Sequence, residues 1–207
     1  MSRLRPPKAS SDQIIAFTDE HLIKLERATA ASEHPRRDLA IHFLLFDSGM
    51  RASELCSLKF RDFDLQGRQC TVLGKGNKRR TVYFGSKARK ALWNYLKEQP
   101  RDLDDAVFMA DRGKNHQEAL TRSGLRQIIH RLGVKAGLQG VRCSPHTYRH
   151  TFAISILRAG GNVFSLQQLL GHTNLSVTQR YCALAQGDLE NQHRQFAPAD
   201  RLGRDLR

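Results

Sequence analysis

Hydrophobic residues recur at helical spacing along most of this chain, and the period changes to two in only one place. The segments RQCTVLG (68–74) and RRTVYFG (79–85) alternate between polar and apolar residues. The segment KGNK (75–78) lies between them and is typical of a β-hairpin turn. The sequence therefore predicts a mostly α domain with a small antiparallel β-sheet.

Cap residues predict where several helices begin and end. Thr18 precedes DEHLIKLERATAA as an N-cap, and Pro35 and Gly49 bound the next helix. A short helix is expected in MRASELCSLKFRDFD, which follows it. Ser86 is predicted to cap KARKALWNYLKEQ, and DAVFMA (105–110) is predicted to add an edge strand.

Later segments predict four more helices. LRQIIHRLGVKAG is expected to form an amphipathic helix that ends at Gly137. Others follow from Ser144 to the Gly160-Gly161 pair, in VFSLQQLLG and around SVTQRYCAL. No internal repeat or low-complexity tract interrupts this order.

The stretch RCSPHTYRH (142–150) predicts an anion site. Ser144 and Pro145 have the residue types of an N-cap and a first helical residue, so His146 and Arg149 fall on one face of the first turns. Free backbone N–H groups and the positive end of the helix dipole lie at the same place. An imidazole and a guanidinium added there favour a phosphate as the ligand.

The charge of the chain indicates a polyanionic partner. Its 207 residues include 34 Lys and Arg against 20 Asp and Glu, which gives a net charge of +14. Such a charge favours nucleic acid, and no apolar run approaches the roughly 18 residues of a membrane-spanning helix. The four cysteines lack C-x-x-C spacing, so neither a zinc site nor a disulfide framework is predicted, and a reducing cytoplasm fits. No signal peptide is expected in MSRLRPPKASSDQ.

Four further residues are candidates for chemistry, although each also has an ordinary structural explanation. Arg51 follows a helix stop and, taken alone, is more typical of a solvated cap arginine, and Lys75 lies in a basic hairpin turn. His172 follows a glycine, where a C-capping residue is common. Tyr181 in TQRYCAL has the pattern of a half-buried core tyrosine.

Taken together, these residues match the requirements of metal-free phosphodiester transfer. Two arginines can stabilise charge on the non-bridging oxygens, and a tyrosine can attack in line. A phenol has a pKa near 10 and needs a base or a cationic field, which His146 can supply. A lysine on a hairpin can protonate the leaving oxygen. A carboxylate cluster, which a two-metal nuclease needs, is absent from these motifs.

Four motifs resemble the catalytic domain of tyrosine recombinases, the phage integrase and Xer family. They are SGMRASELCSL, GKGNKRR, SPHTYRHTFA and LLGHTNLSVTQRY, in this order between Thr18 and Tyr181. The resemblance implies the tyrosine recombinase catalytic-domain fold, with the small sheet among helices. It also implies a transesterification through a 3′-phosphotyrosyl intermediate, without metal, ATP or another cofactor.

By motif match, the resemblance implies a role for each candidate. Arg51 and Arg149 would clamp the phosphate, Lys75 would be the general acid and Tyr181 the nucleophile. His146 would be a candidate proton acceptor, and His172 would hydrogen-bond the phosphate. His150 and Glu54 are expected to be structural, with Glu54 orienting neighbouring basic groups.

The resemblance also implies an organisation and a partner. We expect a basic arm over 1–17, a catalytic domain over 18–182, and a C-terminal helix and tail over 183–207. The expected partner is double-stranded DNA, bound by a homotetramer. Without DNA the chain is expected to be a monomer or only weakly associated. The expected location is the cytoplasm, at the nucleoid and not at a membrane. Whether an N-terminal helical domain has been removed or is naturally absent stays open.

Several alternatives stay open at the level of sequence. A type IB topoisomerase uses similar chemistry, and a non-catalytic DNA-binding regulator can share the fold. Integration, excision, inversion and dimer resolution share one active site, so the motifs assign neither an outcome nor a target site. The C-terminal helix, with Leu184, Leu189 and Phe196, is expected either to contact a neighbouring subunit or to fold back on its own domain.

Overall fold

The computed structural model describes residues 14–74, 79–97, 102–110, 118–172, 174–185, 193 and 197. Within these ranges the chain forms eight α-helices and a three-stranded sheet. The elements in chain order are α1 (Asp19–Ala30), α2 (Pro35–Ser48), α3 (Ala52–Cys56), β1 (Phe63–Asp64), β2 (Gln69–Leu73), β3 (Arg79–Tyr83), α4 (Ser86–Leu96), α5 (Arg122–Lys135), α6 (Pro145–Arg158), α7 (Val163–Leu170) and α8 (Leu175–Ala185). The predicted mostly α domain with a small antiparallel sheet is confirmed.

The sheet is antiparallel in the order β1-β2-β3, with Cys70 opposite both Phe63 and Val82. Cys70, Val72 and Val82 are buried because side chains of this parity face the helices. Strand β1 was not predicted, since two residues are too few to show a period of two. The predicted turn at 75–78 lies outside the described residues.

Most predicted helix caps are confirmed. Thr18 Oγ1 accepts a hydrogen bond from His21 N at 3.2 Å, and Ser144 Oγ accepts one from Thr147 N at 3.2 Å. Gly49 ends α2 with a φ of +57°, a conformation that favours glycine. The prediction for Ser86 is wrong, because Gly85 is the cap residue and Ser86 is the first residue of α4.

The segment 105–110 is not an edge strand. Ala106 forms an isolated bridge with Lys59, and Met109 forms another with Ala119. The segment therefore contacts two different neighbours one residue at a time, so no continuous ladder forms. Its apolar residues serve the core instead, since Val107 and Phe108 are fully buried.

The buried apolar residues form two clusters, which we call the main core and the small cluster. The main core lies between α1, α2, the sheet, α4, α5 and the start of α6, and it includes Tyr148. The small cluster joins the rest of α6 to α7 and α8, and consists of Phe152, Ala153, Ile154, Leu157, Leu166, Leu170 and Tyr181. Helix α6 thus belongs to both, and the residues between Tyr148 and Phe152 lie where the clusters meet.

Ordered packing begins before Thr18. Phe17, which the sequence assigned to the arm, is 6% exposed and belongs to the main core. Its backbone N–H donates to Thr151 Oγ1 on α6 at 2.9 Å. In the part of the chain that the structure describes, no helix is long and apolar enough to cross a membrane.

Candidate active site

Arg149 lies on α6 at the junction of the two clusters, and its guanidinium is buried. Nη1 donates to the Gly49 carbonyl at 2.7 Å, and Nη2 donates to the Leu170 carbonyl at 2.7 Å. These carbonyls lie at the C-terminal ends of α2 and α7, where helix dipoles favour a cation. Burial, followed by the Arg51 charge, lowers the pKa of Arg149 to about 10, so the side chain is still charged at neutral pH.

Glu54 joins two arginines beside this site. The Arg51 backbone N–H and Nη1 donate to its two carboxylate oxygens at 2.7 and 2.9 Å, and Arg80 Nη2 donates at 2.8 Å. Burial alone would raise the pKa of Glu54, but the hydrogen bonds and charges of Arg51 and Arg80 outweigh it, so the pKa is lowered. Glu54 therefore orients neighbouring basic groups, as predicted.

Carbonyl groups at the C-terminal end of α7 accept hydrogen bonds from three arginines. Arg80 donates to the Leu169 carbonyl, and Arg51 donates to the Gly171 carbonyl at 3.3 Å, next to the bond from Arg149 to Leu170. Gly171 has a φ of +62°, and a Cβ there would lie 2.8 Å from Arg80 Cδ. The carbonyls at a helix end, which have no partner within the helix, thus fix the positions of three cations.

Sequence reasoning missed Arg80, although a signal was present. Arg80 has the same parity on β3 as the buried Val82, so it points toward the helices rather than to solvent. A buried arginine needs an anionic or carbonyl partner, and Glu54 is such a partner.

His172 contacts Arg149 through one ring nitrogen and Thr178 through the other. Nε2 lies 2.8 Å from Arg149 Nη2, and Nδ1 lies 2.9 Å from Thr178 Oγ1. Because arginine can only donate, Nε2 is the acceptor and Nδ1 carries the proton in this arrangement. Burial, then the charges of Arg149, Arg51 and Arg80, lowers the pKa of His172 to about 4, so the imidazole is neutral.

Four of the six predicted site residues line one cleft. This cleft has a volume of about 400 Å³, and its walls include Arg51, His146, Arg149 and His172. Arg122 and Arg126 of α5 contribute further positive charge. The arrangement provides several donors that converge on one space, which suits an anion. Lys75, the fifth residue, lies outside the described residues.

Tyr181, the sixth residue, lies beside the cleft in the small cluster and is 4% exposed. Its Oη is 2.8 Å from Nδ1 of His150, with the ring centroids 5.7 Å apart. Burial raises the pKa of Tyr181, although the charges of Arg149 and Arg180 oppose this. Among the described residues, His150 and not His146 is the imidazole within hydrogen-bond distance of this hydroxyl.

A larger groove adjoins the cleft. It has a volume of about 1020 Å³ between α5 and the start of α6, and it shares Arg126 and His146 with the cleft. Its other basic walls are His130, Arg131, Arg142 and His150. The two spaces therefore form one positively charged surface, which extends from the arginines to the imidazole that contacts Tyr181.

The chain resembles known recombinases in sequence. A tyrosine recombinase XerC of Actinobacillus pleuropneumoniae serotype 7 (strain AP76) is 38% identical over 183 residues, which cover 87% of this chain and 58% of that protein. This chain therefore spans little more than half the length of that relative.

The fold resembles two solved structures. The crystal structure of XerA recombinase superposes with a TM-score of 0.73 at 36% identity, covering 89% of this chain and 65% of that one. The Tn1549 transposon integrase (residues 82–397), solved in complex with circular intermediate DNA, superposes with a TM-score of 0.71 at 21% identity, covering 93% and 68%. The predicted tyrosine recombinase fold is confirmed.

The sequence also matches a family. The match to the phage integrase family extends over residues 14–187 and includes every described element from α1 to α8. The order of motifs, the fold and the similarity to XerC agree with this match. The chain belongs to the phage integrase family, the tyrosine recombinases.

Proposed function

We propose that this chain is the catalytic domain of a site-specific DNA recombinase that cleaves and rejoins strands through a phosphotyrosyl intermediate. The observation that carries the proposal is the convergence of Arg51, His146, Arg149 and His172 on one cleft beside a buried tyrosine. The likeness to a protein named tyrosine recombinase supports the same activity.

In this proposal Arg51 and Arg149 bind the non-bridging oxygens of the scissile phosphate. Both guanidiniums are held before any substrate arrives, Arg51 by Glu54 and Arg149 by the carbonyls of Gly49 and Leu170. Donors that are already oriented need little reorganisation as charge develops in the transition state. His172 is a further wall of the phosphate site, where its Nε2 accepts a hydrogen bond from Arg149 Nη2 and helps to orient that guanidinium.

The proposed reaction exchanges one phosphodiester bond for another. Tyr181 Oη attacks phosphorus, the bond from phosphorus to the 5′ oxygen breaks, and a 3′-phosphotyrosyl bond forms. Lys75 is proposed to donate the proton that the 5′ oxygen takes up. A 5′-hydroxyl of another strand reverses the step, and the bond energy is conserved, so neither ATP nor metal is required.

Duplex DNA is the proposed substrate, bound by four copies during strand exchange. The net charge of +14 and the basic groove beside the cleft support binding to DNA, as does the neighbour solved with DNA. Phosphate contacts release counterions, so the logarithm of the binding constant should fall linearly with the logarithm of salt concentration. A slope near zero would contradict a phosphate-dominated interface.

A pool of nicked duplexes with randomised sequence around the nick tests the proposal. Cleavage next to a nick releases a short fragment, which prevents religation and traps protein that is covalently attached to DNA. Wild-type protein should enrich a subset of sequences as adducts in the presence of EDTA. Tyr181→Phe should form no adduct yet bind the enriched duplex with unchanged affinity. Tyr83→Phe is the matched control, because Tyr83 is 55% exposed on β3.

Two results would contradict the proposal. One is binding without any adduct from wild-type protein, with or without a separately supplied N-terminal helical domain. The other is equal adduct formation by Tyr181→Phe. A pool that yields adducts without any sequence preference would support a topoisomerase instead.

A further inference from the structure

We propose that His150 is a further catalytic residue, which accepts the phenolic proton of Tyr181 at Nδ1 as the tyrosine attacks phosphorus. This inference rests on the proposed function of Tyr181 as the nucleophile. It differs from the prediction made from the motifs, in which His146 was the candidate proton acceptor and His150 was structural.

The hydrogen bond between the two side chains is the first argument. Tyr181 Oη and His150 Nδ1 are 2.8 Å apart, within the range required for direct proton transfer. Helices α6 and α8 pack together through the small cluster, and Tyr181 itself belongs to it. The contact is therefore set by the packing of two helices, and not by two flexible surface side chains.

The surroundings of the pair are the second argument. Burial, then the charges of His146 and Arg149, lowers the pKa of His150, so its imidazole is neutral near pH 7 and has a lone pair to offer. Among the described residues, the charges that act on the pair are those of His146 and Arg149 on α6 and Arg180 on α8. The groove that His150 lines also has charged or titratable walls, which include Glu33, Arg126, His130, Arg131 and Arg142. Burial also raises the pKa of Tyr181, so the phenol needs a base.

The position of His150 in the groove is the third argument. His150 is half-buried and lines the larger groove, while it also contacts the buried hydroxyl of Tyr181. His146 is exposed and lines both the groove and the cleft. One imidazole thus contacts the nucleophile, and the other faces the space in which the phosphate is proposed to bind.

The proposed step balances in both directions. In cleavage, the O–H bond of Tyr181 breaks and its proton passes to His150 Nδ1, the oxygen bonds to phosphorus, and the 5′ oxygen leaves with a proton from the general acid. In religation, the incoming 5′-hydroxyl gives its proton to the former acid. Protonated His150 then returns a proton to the departing phenolate.

The test compares His150→Asn with His146→Asn on a nicked duplex taken from the enriched pool. The asparagine amide oxygen lies near the place of Nδ1 and can accept the hydrogen bond, but it cannot hold a proton at neutral pH. Each variant is measured on the ordinary duplex and on one whose 5′ bridging oxygen at the scissile phosphate is sulfur. A thiolate leaves without a proton, so the sulfur substrate removes the need for a general acid.

We expect His150→Asn to lower single-turnover cleavage by about a hundredfold or more on both substrates, because a general base contributes 10²–10⁴. Its DNA affinity should stay within about twofold of wild type. The wild-type rate should already be level at neutral pH, because the lowered pKa of His150 leaves it deprotonated there, whereas the variant rate should keep rising into the alkaline range where the phenol ionises. His146→Asn should keep the wild-type shape of this pH profile.

His150→Ala gives a second readout if the asparagine variant folds poorly. Added imidazole should restore its cleavage in proportion to concentration, because the groove beside residue 150 has room for the ring. Imidazole should not restore Tyr181→Phe.

Three results would overturn the inference. One is cleavage by His150→Asn within about threefold of wild type with the same pH profile. A second is faster cleavage, which would make His150 a latch that holds Tyr181 away from DNA. The third is a result in which His146→Asn, and not His150→Asn, loses cleavage on both substrates and has a rate that keeps rising into the alkaline range. Failure of wild-type protein to form an adduct would instead contradict the proposed function.

Discussion

The proposed phosphate-binding residues and the proposed nucleophile are held in place by different parts of the fold. Arg51, Glu54 and Arg149 are held by the ends of α2, α3 and α7, beside a main core of many large buried side chains. Tyr181 lies on α8, which is anchored by the small cluster and by the hydrogen bonds to His150 and from His172 to Thr178. The proposed anion site is therefore preorganised, while the helix that carries Tyr181 is supported by fewer buried side chains.

This difference suggests a division of labour. A clamp gains most from rigidity, because its charges must already point at the developing oxyanion. A nucleophile that attacks only on correctly assembled DNA gains from a support that can shift. Variants of the two sides should therefore differ in how their effects divide between stability and cleavage.

The largest effect should come from Arg149→Ala. We expect cleavage to fall by at least about a hundredfold, the order seen when one transition-state donor is removed. Stability should fall as well, because the carbonyls of Gly49 and Leu170 would lose their buried donor. Urea unfolding should show a loss of about 4 kcal/mol, and an unchanged midpoint would contradict the anchoring role.

Acid should weaken the main core next. His42 is buried beside Tyr148 and has a pKa of about 4, because burial and then the Lys87 charge oppose protonation. The unfolded chain takes up this proton near pH 6.5, so stability should fall as pH drops from about 6.5 to about 4 and level off below. This group alone contributes about 3 kcal/mol. In His42→Gln, the free energy of unfolding measured in urea should change less between about pH 6.5 and pH 4. The same dependence on pH in the variant would show that His42 is not the group responsible.

Glu54→Gln should lower stability by about 3 kcal/mol, because Arg51 and Arg80 would keep their charges without the buried carboxylate. Cleavage should fall as well, since Arg51 loses its orientation. The matched control is Glu20→Gln, whose side chain is 73% exposed and pairs with Lys24 on the surface of α1. The measurement is chemical denaturation of both variants. Equal losses of unfolding free energy would show that Glu54 contributes no more than a surface ion pair does.

The smallest effect on stability should come from Thr178→Val, at about 1 kcal/mol, because it leaves His172 Nδ1 without its partner. Cleavage should nevertheless fall by about tenfold, since His172 loses its fixed tautomer. Thr29→Val is the control. Thr29 is equally buried on α1, and its hydroxyl donates to the Leu25 carbonyl of the same helix. If both variants lost the same stability and the same cleavage rate, Thr178 would have no specific role in orienting His172.

Sequence reasoning succeeded where local chemistry decides structure. The cap at Ser144, the glycine stop at Gly49 and the positions of Arg51 and Arg149 all follow from neighbouring residues. Ser86 was misassigned because the helix end is set from outside: the Gly85 N–H donates to Asp47 of α2 at 2.8 Å. A pattern of neighbouring residues cannot predict a contact with a carboxylate that is far away in the sequence.

Contacts between distant segments explain the rest. Arg80 is 26 residues from Glu54, and His150 is 31 residues from Tyr181. Tertiary contacts bring these pairs together, between the sheet and α3 in one case and between α6 and α8 in the other. His150 has the same residue type as His146 four positions earlier on the same helix, so spacing alone does not decide which imidazole reaches the phenol.

The residue that becomes attached to DNA decides whether Tyr181 is the nucleophile. Adducts from the nicked pool would be digested with protease and nuclease, and the peptide that retains a nucleotide would be sequenced by mass spectrometry. We expect a nucleotide linked through its 3′ phosphate to Tyr181, formed in the presence of EDTA and absent from Tyr181→Phe. A nucleotide on another residue, or a 5′ phosphate linkage, would contradict it.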